Sequence, residues 1–165
     1  MDTDVDDIAA LKAAVEDATY SHYGTAGEHA VSLVEFCSPD YIRKLRSRGT
    51  VLVAVDNADR IVGMVAKRSR GHGGIEISGL YCSLGRRGIG TSLLLAALDE
   101  MADDDVVTIE VFSSNANARK YFEHLGFLPN GAQRYSESYV GQVLLGMAAP
   151  IGRVRHHAKS ISRVS

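Results

Sequence analysis

Hydrophobic positions in the first 50 residues follow helical spacing in two places. Apolar residues recur every three to four positions over 7–17, which predicts a first helix. Ser38 as N-cap and Pro39 at the first helical position predict a second helix over 40–48. Residues 18–30 mix glycines with polar and aromatic residues. We predict a loop or a short broken helix for that segment.

Strand patterns begin at residue 50. Residues 50–56 and 60–67 flank a short polar turn, which predicts an antiparallel hairpin. A basic, glycine-rich loop follows over 68–74. The remaining pattern predicts a strand over 74–82, a helix over 91–101, a strand over 106–112, a helix over 115–125 and strands over 133–138 and 141–148. This order indicates one α/β domain over residues 1–149, followed by a basic C-terminal tail over 150–165.

Composition places the chain among ordinary globular proteins. Its 165 residues are 45% hydrophobic and 23% charged, with a formal net charge of −2. No apolar run approaches the roughly 20 residues that span a bilayer, and no signal-peptide pattern opens the chain. The two cysteines have no CxxC spacing. We therefore expect a cytoplasmic protein with free thiols and no membrane partner.

Charge is unevenly distributed along the chain. Residues 1–40 hold nine acidic residues and one basic one, whereas residues 41–70 hold eight basic and two acidic ones. The tail adds four basic residues and no acidic one. The simple interpretation is solvated faces and a mobile tail. A basic surface for an acidic partner is the alternative, although the small net charge argues against nucleic acid.

A glycine turn separates the 74–82 strand from the 91–101 helix. Gly88 and Gly90 leave backbone N–H groups bare at the start of a helix, which is a favourable place for phosphate. A P-loop would need a lysine directly before Thr91, and that position is Gly90. A dinucleotide fingerprint would need a third glycine where Leu93 stands. Neither nucleotide motif is therefore complete.

Three segments together resemble the GNAT superfamily of acyl-coenzyme A-dependent N-acetyltransferases. They are Arg-Gly-Ile-Gly-Thr at 87–91 after Leu-Tyr-Cys at 80–82, the strand end Ser-Ser-Asn at 113–115, and Asn-Ala-Asn-Ala-Arg-Lys-Tyr-Phe-Glu-His-Leu-Gly-Phe at 115–127. The hairpin over 51–66 is similar to the second and third strands of the family. The resemblance covers about residues 5–149. It implies a GNAT fold, with a mixed twisted sheet of six to seven strands, a splayed central pair and about four flanking helices.

The resemblance also implies acetyl-CoA as cosubstrate, without a metal. The pantetheine arm would pair with the strand at Leu80, Tyr81 and Cys82. The pyrophosphate would be held by the backbone amides of Gly88, Ile89, Gly90 and Thr91, and Asn115 would bond the pantetheine arm. Gly85 stands where the family usually has arginine or glutamine, so Arg86 or Arg87 is expected to compensate, unless both are solvated surface charges.

The catalytic residues that the resemblance implies are Glu76 and Tyr121. Glu76 is the candidate general base, and the alternative is that it faces solvent or pairs with Arg68 or Arg70. The tyrosine that serves as general acid in many members is replaced by Phe122. Tyr121, one residue earlier, is the candidate acid, and the alternative is a packing role.

The expected function is transfer of an acetyl group from acetyl-CoA to a primary amine by direct attack in a ternary complex. The acceptor is not specified by the sequence, and a macromolecular amine is one option. The alternative is a sensor or interaction module that binds acetyl-CoA with little catalysis. We expect residues 18–40 and 128–140 to build the acceptor pocket, with Tyr20, His22 and Tyr23 as candidate contacts. The final strands and the tail are a candidate homodimer surface.

Overall fold

The computed structural model describes residues 3–83 and 88–162, and within them a single mixed sheet forms the centre of the molecule. Its six strands are β1 (Thr50–Val55), β2 (Ile61–Gly71), β3 (Gly74–Cys82), β4 (Val106–Phe112), β5 (Leu128–Tyr135) and β6 (Val143–Pro150). They lie in the order β1-β2-β3-β4-β6-β5, and only β3 and β4 run parallel.

Helices cover both faces of this sheet. Within the described residues they are α1 (Thr3–Tyr20), α2 (Ala26–Phe36), α3 (Pro39–Arg48), α4 (Ile89–Ala97), α5 (Ala116–His124) and α6 (Ile151–Ser162). The predicted start of α3 is confirmed, because the Ser38 side chain accepts a hydrogen bond from the Tyr41 amide and Pro39 is the first helical residue. The described residues thus hold two helices more than the four that the sequence pattern predicted.

The first additional helix, α2, replaces part of the predicted loop over 18–30. Thr25 is its N-cap and accepts a hydrogen bond from the Glu28 amide, while the Glu28 side chain accepts one from the Thr25 amide. This reciprocal capping box satisfies the free amides of the first turn. The helix therefore forms in spite of its two neighbouring glycines.

The second additional helix, α6, replaces the predicted mobile tail over the described residues 151–162. Ile151, Val154 and Ala158 are fully buried and lie on one face, at positions i, i+3 and i+7. Arg155 donates hydrogen bonds to the carbonyls of Leu98, Asp99 and Met101 beyond the end of α4. The basic residues of this segment are thus part of a packed helix, and Arg155 joins α6 to the residues that follow α4.

Two strand boundaries differ most from prediction. β2 continues to Gly71 through the segment predicted as a loop, because Arg68 pairs in register with Glu76 of β3 and forms an ion pair with it. β5 begins at Leu128 rather than at residue 133. All eight of its residues are exposed at the sheet edge, so no hydrophobic alternation marks its start.

The core is divided by the sheet. The larger cluster packs α4, α5 and α6 against one face, with Leu94, Phe127 and Ile151 almost completely buried. The smaller cluster packs α1 and α3 against the other face through Ile8, Ile42 and neighbouring residues. The two helical layers therefore meet different faces of the same strands.

The central strands β3 and β4 separate along their length. They pair from Gly74 with Val106 to Ile77 with Ile109, and the pairing then stops. At the same point β3 carries an irregularity, because Ala66 pairs with Gly79 and Lys67 with Ile77, which leaves Ser78 as an extra residue. The expected splayed central pair is therefore present, and the cleft opens beyond Ile77.

Candidate active site

A cavity of about 430 Å³ occupies the cleft between β3 and β4. It extends from α1 on one side of the sheet to α5 on the other. Its lining includes Lys12, Glu16 and Tyr20 of α1, Glu76 to Tyr81 of β3, Ile109 to Phe112 of β4, and Asn115, Ala118 and Phe122 at and beyond the start of α5. The cavity thus runs between the splayed strands from one face of the sheet to the other.

The N-terminal end of α4 lies at the end of β3 and offers backbone donors. Gly88 is the N-cap with φ of 85°, a left-handed conformation that favours glycine, and no side chain within 3–83 or 88–162 caps the helix. No acidic residue lies in its first turn. Among the described residues, none lies within 4 Å of a Cβ built at Gly88. These features fit a phosphate group, because the first amides of a helix have no intrahelical partner.

The predicted pantetheine-binding residues are distributed over the two faces of β3. Leu80 and Tyr81 line the cavity. The Cys82 side chain lies against the α4 layer, about 3.5 Å from a Cβ built at Gly90. Burial raises the pKa of the Cys82 thiol, which disfavours the thiolate. Arg86 and Arg87 lie outside the described residues.

Both polar atoms of the Asn115 side-chain amide form hydrogen bonds within the protein. Its Oδ1 accepts a hydrogen bond from the Ala118 amide and caps α5. Its Nδ2 donates to the Tyr20 hydroxyl at 3.3 Å. Burial, followed by the nearby Glu16 carboxylate, raises the pKa of Tyr20 to about 12. Tyr20 is therefore held on the cavity wall as a neutral phenol.

Glu76, the predicted base, is 8% exposed and lines the cavity at the base of the cleft. Arg68 Nη2 lies 2.8 Å from its Oε1, and Arg70 forms an ion pair with its Oε2. The alternative raised from the sequence, pairing with these arginines, is therefore present. Each oxygen of the predicted base therefore already has a guanidinium partner.

Tyr121, the predicted acid, points away from the cleft. Its hydroxyl lies 3.2 Å from Thr91 Oγ1 of α4, and Tyr121 is not among the described residues that line the cavity. Burial raises the pKa of its phenol, although the Thr91 hydrogen bond partly offsets this effect. Phe122 lines the cavity instead. The side chain that faces the cleft from α5 is thus the one that cannot donate a proton.

Helix α1 contains a buried charged pair that was not predicted from the sequence. Lys12 and Glu16 are 3% and 6% exposed, and Lys12 Nζ lies 3.0 Å from Glu16 Oε1. Burial alone would lower the pKa of Lys12, but Tyr81, Glu16 and Cys37 outweigh it and raise that pKa overall. The Lys12 ammonium also lies 4.4 Å from the centre of the Tyr81 ring. The i, i+4 spacing was visible in the sequence, but its burial was not.

The two segments expected to build the acceptor side of the cleft do meet. Glu28 Oε1 accepts a hydrogen bond from the Val140 amide at 3.0 Å. His29 connects Asp17 and Tyr139 through its two ring nitrogens, at 3.0 and 2.9 Å. These contacts fasten the β5–β6 loop to the helices α1 and α2.

Only one of the three candidate acceptor contacts lines the cavity among the described residues. Tyr20 does so, whereas His22 and Tyr23 are not part of the lining. The Tyr23 ring packs against Phe112, with centroids 5.3 Å apart, and the His22 ring packs against Tyr23. These two residues support the wall behind Tyr20.

Comparison with known families gives a match for most of the chain. A profile described as "Acetyltransferase (GNAT) family" matches residues 13–127. The chain belongs to the GNAT acetyltransferase family. The resemblance seen in the sequence is thus confirmed, and the family is one of acyltransferases. No curated protein matches the sequence of this GNAT chain.

Solved structures show the same fold at low sequence identity. The PaiA N-acetyltransferase of Thermoplasma acidophilum, in complex with coenzyme A, is 16% identical, with a TM-score of 0.72 over 90% of this chain and 94% of its own. Ard1 of Thermoplasma volcanium is 19% identical, with a TM-score of 0.63 over 88% and 91%. The ribosomal-protein-alanine N-acetyltransferase of Brucella melitensis is 19% identical, with a TM-score of 0.60 over 91% and 96%. The predicted GNAT fold is therefore confirmed.

Two further observations apply to the part of this GNAT protein that the structure describes. No helix among residues 3–83 and 88–162 is long and apolar enough to cross a bilayer. The same residues contain no group of three or more His, Cys, Asp or Glu side chains arranged to hold a metal ion.

Proposed function

We propose that the protein transfers an acetyl group from acetyl-CoA to a primary amine. The observation that supports this most directly is the splayed β3–β4 cleft, with the open N-terminus of α4 at the end of β3. Acetyl-CoA would supply a thioester whose acetyl group an amine can attack. The α4 amides from Gly88 to Thr91 would bind its diphosphate, and the edge of β3 at Leu80 and Tyr81 would align its pantetheine arm.

Glu76 and Tyr121 remain the proposed base and acid, and the structure adds a condition to each. Glu76 would have to accept the proton, directly or through water, while Arg68 and Arg70 lie against its two oxygens. Tyr121 must exchange its bond with Thr91 for a position in the cleft.

Thiol release from acetyl-CoA in the presence of an amine panel tests this function. The panel should include alkylamines, amino acids and a peptide that begins with alanine, because a GNAT protein of similar fold is named for alanine acetylation. We expect thiol release that depends on one class of amine. CoA binding without transfer to any amine would contradict the enzyme and favour the alternative.

That alternative is an acetyl-CoA-binding sensor or interaction module. Its specific support is Phe122, which places a phenyl ring where the cleft meets α5. Phe122→Tyr would put a hydroxyl at this position. If only the variant released thiol, the natural chain would be assigned to binding rather than catalysis.

A further inference from the structure

The carboxylate of Glu16 has one oxygen with a partner and one without. Oε1 accepts a hydrogen bond from Lys12 at 3.0 Å. Oε2 is buried and has no hydrogen-bond partner among the described residues. The Glu16 side chain is 9% exposed, and the residue lines the cleft cavity. A buried charged oxygen without a partner is costly, so its presence calls for an explanation.

The other carboxylates on the cavity wall differ from Glu16. Arg68 and Arg70 hold Glu76, and Arg134 holds Glu110 with Nη2 2.7 Å from Oε2. Arg134 also lies 3.7 Å from Glu137, whose side chain is 79% exposed. Glu76 Oε2 also has no hydrogen bond among the described residues, but Arg70 forms an ion pair with it, whereas no arginine among those residues pairs with Glu16 Oε2.

The surroundings of Glu16 suit an organic cation. The cavity wall near α1 carries the aromatic rings of Tyr20, Tyr41 and Tyr81. The Lys12 ammonium already contacts the Tyr81 ring face, at 4.4 Å from its centre, and the Tyr41 ring at 5.6 Å. This wall thus already binds one ammonium group by a carboxylate and phenol rings. A second ammonium could use the remaining oxygen in the same way.

We propose that Glu16 Oε2 binds the ammonium group of the acceptor, so that the site selects compact cationic alkylamines. This inference rests on the proposed function, because it names the acceptor class of that same cleft. The contact is an ion pair to a side chain that is 9% exposed, and a charge-assisted hydrogen bond of this kind is stronger than a neutral one. Glu16 would hold the amine before its proton passes to the base.

The first test uses n-butylammonium chloride as the probe and 1-butanol as its neutral analogue. Both are titrated against the full chain with CoA present, and binding is followed by NMR. We expect saturable butylammonium binding, with a Kd of the order of 1 mM. Glu16→Gln should weaken this binding about tenfold or more and leave the response to 1-butanol unchanged.

Glu137→Gln is the matched control, because it removes the same charge from the exposed rim of the same cavity. An equal weakening in this variant would show that general negative potential, and not Glu16, attracts the cation. Absence of saturable butylammonium binding in the natural chain, or an unchanged Kd in Glu16→Gln, would also overturn the proposal. In the last case a buried water would be the partner of Oε2.

Glu16→Gln leaves Lys12 buried without its partner, so this variant could misfold. Two further measurements test the proposal without relying on it. The double variant Lys12→Met with Glu16→Gln replaces the pair by neutral side chains of similar size, and it should fold and still bind butylammonium weakly. In the natural chain, the carboxyl carbon resonance of Glu16 should shift on titration while that of Glu137 does not. A constant Glu16 resonance would overturn the proposal without any variant.

The outcome is separable from that of the proposed function. Amine-dependent thiol release with an unchanged KM in Glu16→Gln would reject the role of Glu16 and retain the acetyltransferase. Loss of butylammonium binding in Glu16→Gln, with no thiol release for any amine, would retain the cation site and reject catalysis. If both proposals hold, the KM of Glu16→Gln for the amine should rise about tenfold or more, and its KM for acetyl-CoA should be unchanged.

Discussion

A general acid for this reaction needs a hydroxyl group and a position in the cleft. Each of two adjacent aromatic residues of α5 has one of these properties. Tyr121 carries the hydroxyl, and it is bonded to Thr91, whereas Phe122 faces the cleft. If Tyr121 rotates into the cleft during the reaction, Tyr121→Phe should lower kcat about a hundredfold. The Kd of CoA should change little, because the phenol does not serve in binding. Steady-state kinetics beside calorimetric CoA titration measures both.

Tyr20→Phe is the matched comparison for this prediction. Its hydroxyl already lines the cavity, and because Asn115 donates to its oxygen, its own proton is available to another acceptor. An unchanged kcat in Tyr121→Phe, together with a large loss in Tyr20→Phe, would move the acid role to Tyr20.

The Lys12–Glu16 pair also makes a prediction about stability. Lys12→Met would leave a buried carboxylate without its counter-charge, which costs about 3–5 kcal/mol of unfolding free energy. Urea unfolding at neutral pH measures this loss. The double variant with Glu16→Gln should recover most of it, because neither charge is then buried. A single variant as stable as the natural chain would show that water reaches the pair.

At the scale of the element, α6 is part of the core. Val154 is fully buried against the α4–α6 layer, so Val154→Ala should lower the unfolding free energy by about 2 kcal/mol. His156→Ala, two residues along on the exposed side, is the control and should change it by less than about 0.5 kcal/mol. Equal effects in thermal unfolding would contradict the packing of this helix.

The β1–β2 hairpin gives a prediction about pH. Asp56 accepts hydrogen bonds from the Arg60 side chain and from the Ala58 and Arg60 amides, and these lower its pKa to about 2. The unfolded chain therefore binds a proton that the folded chain does not, so stability falls as the pH drops from about 5 towards 2. Asp56→Asn should make this fall shallower. Thermal unfolding between pH 2 and 5 measures it, and Arg60→Met should act in the same direction.

At the scale of the whole molecule, the sheet was the most predictable part. β1, β3 and β4 match the predicted segments to within a residue, because their apolar and β-branched runs are distinct in the sequence. The helices α2 and α6 were missed because glycine, proline and basic residues obscured them. The capping box of Thr25 and Glu28 and the stripe from Ile151 to Ala158 were the available signals.

The site was less predictable than the fold, for a tertiary reason. The order of the glycine turn and Asn115 along the chain indicates a coenzyme A site. The orphaned oxygen of Glu16 and the two arginines on Glu76 arise only when α1 and β2 meet the cleft. Local patterns indicate which ligand chemistry is available, but long-range packing decides which carboxylate remains free for it.

The splayed strands predict how the whole molecule responds to the ligand. Beyond Ile77 the edge of β3 that faces β4 has no strand partner among the described residues, whereas β1 pairs with β2 along its whole length. CoA bound along that edge should protect from hydrogen exchange those amides of residues 79–82 that point towards β4, because it supplies their missing acceptors. The Ser83 amide already donates to the Val62 carbonyl of β2 and should change less. Residues 50–55 of β1 serve as the internal control and should exchange at the same rate with and without CoA. Protection spread equally over both segments would indicate general stabilisation by binding rather than occupation of the cleft.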